Sequence, residues 1–192
     1  MPHPEDDSIP LLTVGLVEQV RTGDEDAFER LYVLYTSGIF SYLRGLVGNT
    51  EVAHELTQQV FFQVWQHLSQ LQDAIRFKAW LYRIARNVAF DYERRERKGS
   101  YWLSWEQLEE GQTPYSALSF ETLLAEKDLV QKALATLPFK LRECLLLHTI
   151  GGFSQREIAV ILNLGEQSVS TYMSQARKQL RTAFRHFERD TY

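Results

Sequence analysis

Two stretches of this 192-residue chain carry residue types and spacings suited to chemistry on a polyanion. The first runs from residue 76 to 98. Arg76, Lys78, Arg83, Arg86, Arg94, Arg95, Arg97 and Lys98 face only Asp91, Glu93 and Glu96, and Phe77, Trp80 and Tyr82 are interleaved among them. Cations neutralise phosphates, and an unstacked base laid on an aromatic ring is worth about 1–3 kcal/mol. Trp80 also falls on the apolar side of the helical pattern, so core packing is its competing role. The second stretch, "SQREIAVILNLGEQSVSTYMSQARKQLR" at 154–181, offers Gln167, Ser170, Thr171 and Ser174 in front and meets its first cation beyond them at Arg177. Such a face can read base edges but grips phosphates weakly. No Ser-His-acid spacing, phosphate-binding glycine loop or metal-ligand cluster stands out, which disfavours an enzyme and implies no cofactor. His54 and His67 are 13 residues apart with no cysteine near, and make no metal site.

The elements that must hold these residues read as helices throughout. Phe28, Leu31, Tyr32 and Tyr35 repeat at i, i+3, i+4, i+7, as do Ile39, Tyr42, Leu43 and Leu46. Leu56, Val60, Phe61, Val64, Trp65 and Leu68 predict a helix over 50–71, and Trp80, Leu81, Ile84, Ala85, Val88 and Ala89 predict one over 75–97. "GDEDAF" supplies acids at a helix start. Helices resume over about 122–137, break at Pro138 and run on to the Gly151–Gly152 pair. "SQRE" at 154–157 is a capping-box pattern, Asn163 suits a left-handed turn, and Gly165 can cap the next helix. Val169, Met173, Ala176, Leu180 and Phe184 then form the buried stripe of a second helix, which predicts a helix-turn-helix.

Between the two blocks, "GSYWLSWEQLEEGQTPYSALSFE" loses this periodicity, and its length predicts a linker between two domains. The expected organisation is an N-terminal extension, partly disordered, at 1–23; a helical domain at 24–98; a flexible acidic linker at 99–121; and a second helical domain at 122–192. The fold class expected is all-α. The net charge of −4 is segregated: acidic at 1–23, basic at 76–98, acidic at 99–128 and basic again after 129, chiefly through Arg177, Lys178, Arg181, Arg185 and Arg189. That alternation suggests two nucleic-acid footprints with something else between them. No apolar run approaches the roughly 18 residues of a membrane span, and "MPHPEDDSIP" is the reverse of a signal peptide. The single Cys144, among apolar neighbours, reads as a buried small hydrophobe in a reducing cytoplasm.

With these residues in view, the chain resembles group 4, the extracytoplasmic-function type, of the sigma-70 family of transcription initiation factors. "GDEDAFERLYVLY", "AHELTQQVFFQVWQHL" and "FKAWLYRIARNVAFDYERRERK" are similar to regions 2.1, 2.2 and 2.3–2.4 in order. "ALATLPFKLRECLLLHTIGGFSQREIAVILNLGEQSVSTYMSQARKQLR" is similar to region 4.

The resemblance implies a factor that binds core RNA polymerase, directs it to promoters and helps open the duplex at the minus-ten element. It implies docking on the clamp of the largest subunit through Glu55, Leu56, Gln58, Gln59, Phe62 and Trp65, and on the beta flap through region 4. Leu56 and Trp65 have core packing as the competing role. The His54-Glu55 pair stands where the family more often has Glu-Asp. Minus-ten DNA contacts are implied for Arg76, Phe77, Lys78, Trp80, Arg83, Arg86, Asn87, Arg94 and Arg95. Minus-35 contacts are implied for Arg156, Gln167, Ser168, Ser170, Thr171, Ser174, Gln175, Arg177, Lys178 and Arg181.

Family members carry basic residues or His more often at Ser170, Tyr172, Ser174 and Gln175, so this helix should select sequence with modest grip. The acidic linker, with Glu106, Glu109 and Glu110, is implied to thread the basic polymerase cleft, or else is a solvated tether; Trp102 and Trp105 could anchor it. An anti-sigma factor is a further implied partner, and membrane insertion is not expected. Two rivals remain: a sigma-like decoy that occupies an anti-sigma factor, and a free-standing helix-turn-helix regulator.

Overall fold

In a computed structural model the described residues are 8–103 and 123–190, with side chains described over 11–96 and 129–187. The acidic segment 104–122, with Trp105, Glu106, Glu109 and Glu110, lies outside the described residues, as does the side chain of Trp102. Among the described residues every regular element is helical. The first unit comprises α1 (Ser8–Arg21), α2 (Glu25–Val47), α3 (Thr50–His67) and α4 (Phe77–Leu103). Two short 3-10 turns, Leu68–Gln70 and Ala74–Arg76, join α3 to α4. The second unit comprises α5 (Leu123–Ala135), α6 (Phe139–Thr149), α7 (Gln155–Leu162) and α8 (Glu166–Asp190).

Local chemistry sets the boundaries. Asp24 accepts a hydrogen bond from the Ala27 N–H at 3.0 Å and so caps α2, whose first turn holds Glu25 and Asp26 at the positive end of its dipole. Gly48, at φ 77°, ends that helix in the left-handed conformation. Asn49 caps α3 through the Val52 N–H at 3.0 Å. The buried stripes then meet: Leu31, Ile39, Tyr42 and Leu43 of α2, Val60 and Val64 of α3, and Leu81, Ala85 and Ala89 of α4 are all closed to solvent.

The N-terminal segment contributes to the first unit. Part of the 1–23 extension is helix α1, which buries Leu16 and Val17 and pairs the Thr13 hydroxyl with the Tyr35 hydroxyl at 2.8 Å. A shift concerns the linker, into whose expected start α4 continues as far as Leu103. In the second unit, Ser154 and Glu157 form the reciprocal capping box: Ser154 Oγ accepts from the Glu157 N–H at 3.3 Å, and the Ser154 N–H donates to Glu157 Oε2 at 2.8 Å. Asn163 takes the left-handed turn at φ 53°. Val169, Met173 and Ala176 bury one side of α8 against α6 and α7, completing the helix-turn-helix.

The two units pack directly on each other. α6 lies against α2, and α7 lies against α4. Gly45 admits the Leu146 side chain so closely that a Cβ there would come within 2.8 Å of its methyl carbons. Arg142 Nη1 donates to the Leu46 carbonyl in the last turn of α2 at 2.7 Å, where a cation suits the negative end of the helix. Cys144 is closed off in α6, and burial, helped by the neighbouring Glu143 carboxylate, pushes its thiol up to about 12.

Candidate nucleic-acid interface

α4 displays the basic stretch. Counted at 3.6 residues per turn, Arg76, Trp80, Arg83, Asn87 and Arg94 fall on one side of the helix and its lead-in turn. Arg76, Arg83, Asn87 and Arg94 are exposed, and Trp80 is half-buried. Asp73 positions the start: it accepts from the Ile75 N–H at 3.0 Å and pairs with Arg76 at 3.3 Å. A groove of about 490 Å³ opens beside this row, lined by Leu71, Arg76, Ala79, Trp80 and Arg83, and on its far wall by Val160 and Ile161 of α7.

The remaining expected contacts on α4 are placed elsewhere. Phe77 is corrected: it is fully buried and meets the Tyr35 ring edge-on at 5.4 Å, so no base can stack on it while the core is intact. Tyr82 is buried as well, and burial pushes its hydroxyl up to about 12. Lys78 is exposed but sits over the Phe153 ring, 5.2 Å from its centre. Arg86 is half-buried; its Nε donates to Glu143 Oε2 of α6 at 3.1 Å, and its Nη1 donates to Asn87 Oδ1 at 3.3 Å. Arg95 is exposed but lies off the row by helical spacing.

The second expected face, on α8, stays together. Gln167, Ser170, Thr171, Ser174, Gln175, Arg177, Lys178 and Arg181 are exposed, and Ser168 is half-buried. The Thr171 hydroxyl donates to the Gln167 carbonyl at 2.9 Å, which leaves its oxygen as an acceptor for a groove donor. Arg156 at the start of α7 is exposed, with the Glu166 carboxylate 3.8 Å away.

On α3, Glu55, Gln58, Gln59, Phe62 and Trp65 are exposed. Leu56 is corrected: it is core, at 4% exposure. Phe62 is 61% exposed, a large apolar surface that a monomer gains nothing by showing to water. Two residues that sequence reasoning assigned to the core stripe extend this surface: Phe28 packs edge-on to Trp65 at 4.8 Å, and Tyr32 meets Phe61 at 4.7 Å while remaining partly exposed. Their signal was the i, i+4 spacing on α2, which does not tell a core stripe from a surface patch shared with α3. His54 lies flat on the Phe40 ring at 4.3 Å.

No cluster of three or more His, Cys, Asp or Glu able to hold a metal is present among the described residues. Nor, among them, is any helix long and apolar enough to cross a membrane.

Comparisons with known proteins match both units to one family. Residues 31–99 match the family model for sigma-70 region 2, and residues 127–180 match that for sigma-70, region 4. The chain is 30% identical over 178 residues to the ECF RNA polymerase sigma factor SigW of Bacillus subtilis (strain 168), covering 88% of this chain and 95% of that one. It is 28% identical to the ECF RNA polymerase sigma-E factor of Escherichia coli (strain K12), covering 86% and 90%. Among solved structures, CnrH in complex with the cytosolic domain of CnrY is similar in fold, with a TM-score of 0.68 at 24% identity, covering 89% of this chain and 96% of that one. So is the sigma factor RpoE in complex with the anti-sigma factor NepR from Bartonella quintana, with a TM-score of 0.65 at 24% identity, covering 82% and 96%.

Proposed function

Because the chain belongs to the sigma-70 family, in its group 4 or extracytoplasmic-function branch, and is a transcription-initiation sigma factor, we propose that it docks on core RNA polymerase through α3, opens promoter DNA at the minus-ten element along α4, and reads the minus-35 element with α8. The observation that carries the reading is the row formed by Arg76, Trp80, Arg83, Asn87 and Arg94 on one side of α4.

Strand separation costs stacking energy. The row can return it, with Arg76, Arg83 and Arg94 gripping phosphates, the exposed part of Trp80 taking an unstacked base, and the Asn87 amide bonding a base edge. The α3 face supplies Phe62 and Trp65 as apolar anchors inside a polar rim of Glu55, Gln58 and Gln59, the composition of a protein–protein contact. Its partner is the clamp of the largest polymerase subunit, and the second unit meets the beta flap. α8 enters the major groove with Gln167, Ser170, Thr171 and Ser174 toward base edges, while Arg156, Arg177, Lys178 and Arg181 hold the flanking phosphates. With four cations there, its own grip is modest, and the polymerase supplies the rest. An anti-sigma factor is the regulatory partner; the sigma factor RpoE from Bartonella quintana, similar in fold, is itself in complex with the anti-sigma factor NepR. The site of action is the cytoplasm, where promoter DNA and polymerase are found.

Hydroxyl-radical footprinting of core polymerase plus this protein on a promoter fragment tests the reading. Protection in two patches, about 25 base pairs apart, is expected, and Lys178→Ala with Arg181→Ala should thin the upstream patch alone. A single patch unaffected by those changes would point to a free-standing operator-binding regulator.

A further inference from the structure

Helix α1 supports the place where the DNA-facing row begins. It packs on α2, on both 3-10 turns and on α4. The turns themselves are short. Each is three residues long, closed by the Leu71 N–H donating to the Leu68 carbonyl at 3.1 Å and the Arg76 N–H donating to the Asp73 carbonyl at 3.0 Å. Hydrogen bonds of the 3-10 kind are poorly aligned, so turns of this length depend on what packs against them. Yet they carry working parts: Leu71 and Arg76 line the groove beside Trp80, and Arg76 opens the row. Thr13, Leu16 and Val17 are the buried residues that α1 brings to this support.

One polar contact runs through it. Thr13 is 4% exposed, and its hydroxyl meets the Tyr35 hydroxyl at 2.8 Å, with either able to donate. The Tyr35 ring stands edge-on to Phe77 at 5.4 Å, and Phe77 in turn lies 6.1 Å from the Trp80 ring at a tilt of 46°. Thr13, Tyr35, Phe77 and Trp80 thus form a continuous file from α1 to the aromatic ring of the row. Leu16 and Val17 can repack along an apolar surface at modest cost, whereas two buried hydroxyls cannot slide apart without losing a partner. The apolar pair supplies adhesion. The hydrogen bond supplies position.

We propose that Thr13 and Tyr35 are positioning residues for promoter opening: their hydrogen bond sets the place of Phe77, and through it the exposed part of Trp80. The proposal rests on the sigma-factor reading of the row given above. Phe77 is fully buried and cannot take a base itself, so its part in the row is to hold Trp80. A base gains from a ring only where the ring's face is presented at stacking distance. A ring held slightly out of place loses that gain, while docking on polymerase through α3 is untouched.

The experiment uses the full-length protein with fluorotryptophan in place of tryptophan, read by fluorine NMR. The Trp80 and Trp65 signals are identified by their absence from Trp80→Phe and Trp65→Phe. Thr13→Val keeps the shape of the side chain and removes its hydroxyl. It should shift the Trp80 signal of the free protein and leave the Trp65 signal in place, with helical circular dichroism unchanged. On a fragment that the parent opens with core polymerase, permanganate reactivity of the minus-ten thymines should fall about fivefold or more, the low end of what one base–ring stack is worth. Core binding should not change. Thr13→Ser should keep parent values in both readouts.

Adding Tyr35→Phe to Thr13→Val separates position from stability. Thr13→Val takes the described partner from the Tyr35 hydroxyl and should lower the melting temperature; the double variant removes that hydroxyl and should regain most of the loss. Opening should stay low, because the bond that sets the position is still missing. Recovery of opening in step with melting would overturn the proposal, as would a Trp80 signal unmoved by Thr13→Val in folded protein. A parent that neither binds core polymerase nor opens any fragment would count against the sigma reading and remove the role in opening with it. The Trp80 signal would still decide whether Thr13 positions the ring.

Discussion

Trp65 of α3 stands edge-on to Phe28 of α2 at 4.8 Å, yet 47% of the tryptophan remains exposed. One edge of the ring joins two helices and the other is available to a partner. Phe62, one turn earlier and more exposed still, makes no described ring contact and contributes little to the first unit's own packing. Phe62→Ser should therefore weaken core-polymerase binding by about 2 kcal/mol or more, the scale of an interface hot spot, with the melting temperature nearly unchanged. Trp65→Ala should weaken binding similarly but also cost some stability through Phe28. Titration of core polymerase with labelled protein, alongside thermal melting, separates the two effects.

Tyr42 yields a prediction of increased stability. Its hydroxyl is buried without a described partner, and burial, reinforced by the Glu143 carboxylate, holds its ionisation well above the ordinary value. Tyr42→Phe removes a hydroxyl whose burial without a partner costs about 1–3 kcal/mol. The variant should melt higher, and a thermal melting scan checks the direction.

Stability should also respond to pH through Glu143. Burial raises its carboxyl above the ordinary range, and Arg86 only partly pulls it back; Lys140 also lowers it, and Glu93 raises it. A carboxyl with a higher pKa folded than unfolded takes up a proton on folding. Its contribution is then fully present below the unfolded value and is lost as pH rises through the raised one. The melting temperature should fall from pH 5 to pH 7.5 in the parent, and by less in Glu143→Gln.

The capping box closes the start of α7, the helix ahead of the reading helix α8. Ser154→Ala removes the acceptor for the Glu157 N–H and should cost about 1 kcal/mol. For a chain of this size that is a melting shift of about 2–4 °C, measurable by circular dichroism. A loss of minus-35 protection larger than that shift explains would mean the cap also positions α8.

Which of these features were legible in the sequence follows from what each signal depends on. The capping box, the Asn163 turn and the α8 stripe rest on local chemistry, and "SQRE" and "NLG" state it within a few residues. Helix α1 escaped although Thr13, Leu16, Val17 and Val20 have helical spacing, because the acidic, proline-containing residues ahead of it dominated the reading. Phe77 and Tyr82 look like base-stacking aromatics until the direction of α4 is known; their side of the helix meets Tyr35 and Tyr42. Glu143 was invisible for a different reason. In "LRECLLLHTI" it is one acid in an apolar run, and its role exists only through Arg86, 57 residues earlier.

The central claim is tested most directly by run-off transcription with purified core polymerase on fragments of the native genome, comparing the parent with Asn87→Ala. Asn87 is exposed, and the described side-chain bond lost with it is the one its Oδ1 accepts from Arg86 at 3.3 Å, while Arg86 keeps its pairing with Glu143. Initiation at discrete start sites that requires the protein, reduced about tenfold or more by Asn87→Ala while core binding persists, is the predicted result. Core binding without initiation on any fragment would contradict it and favour a decoy for an anti-sigma factor.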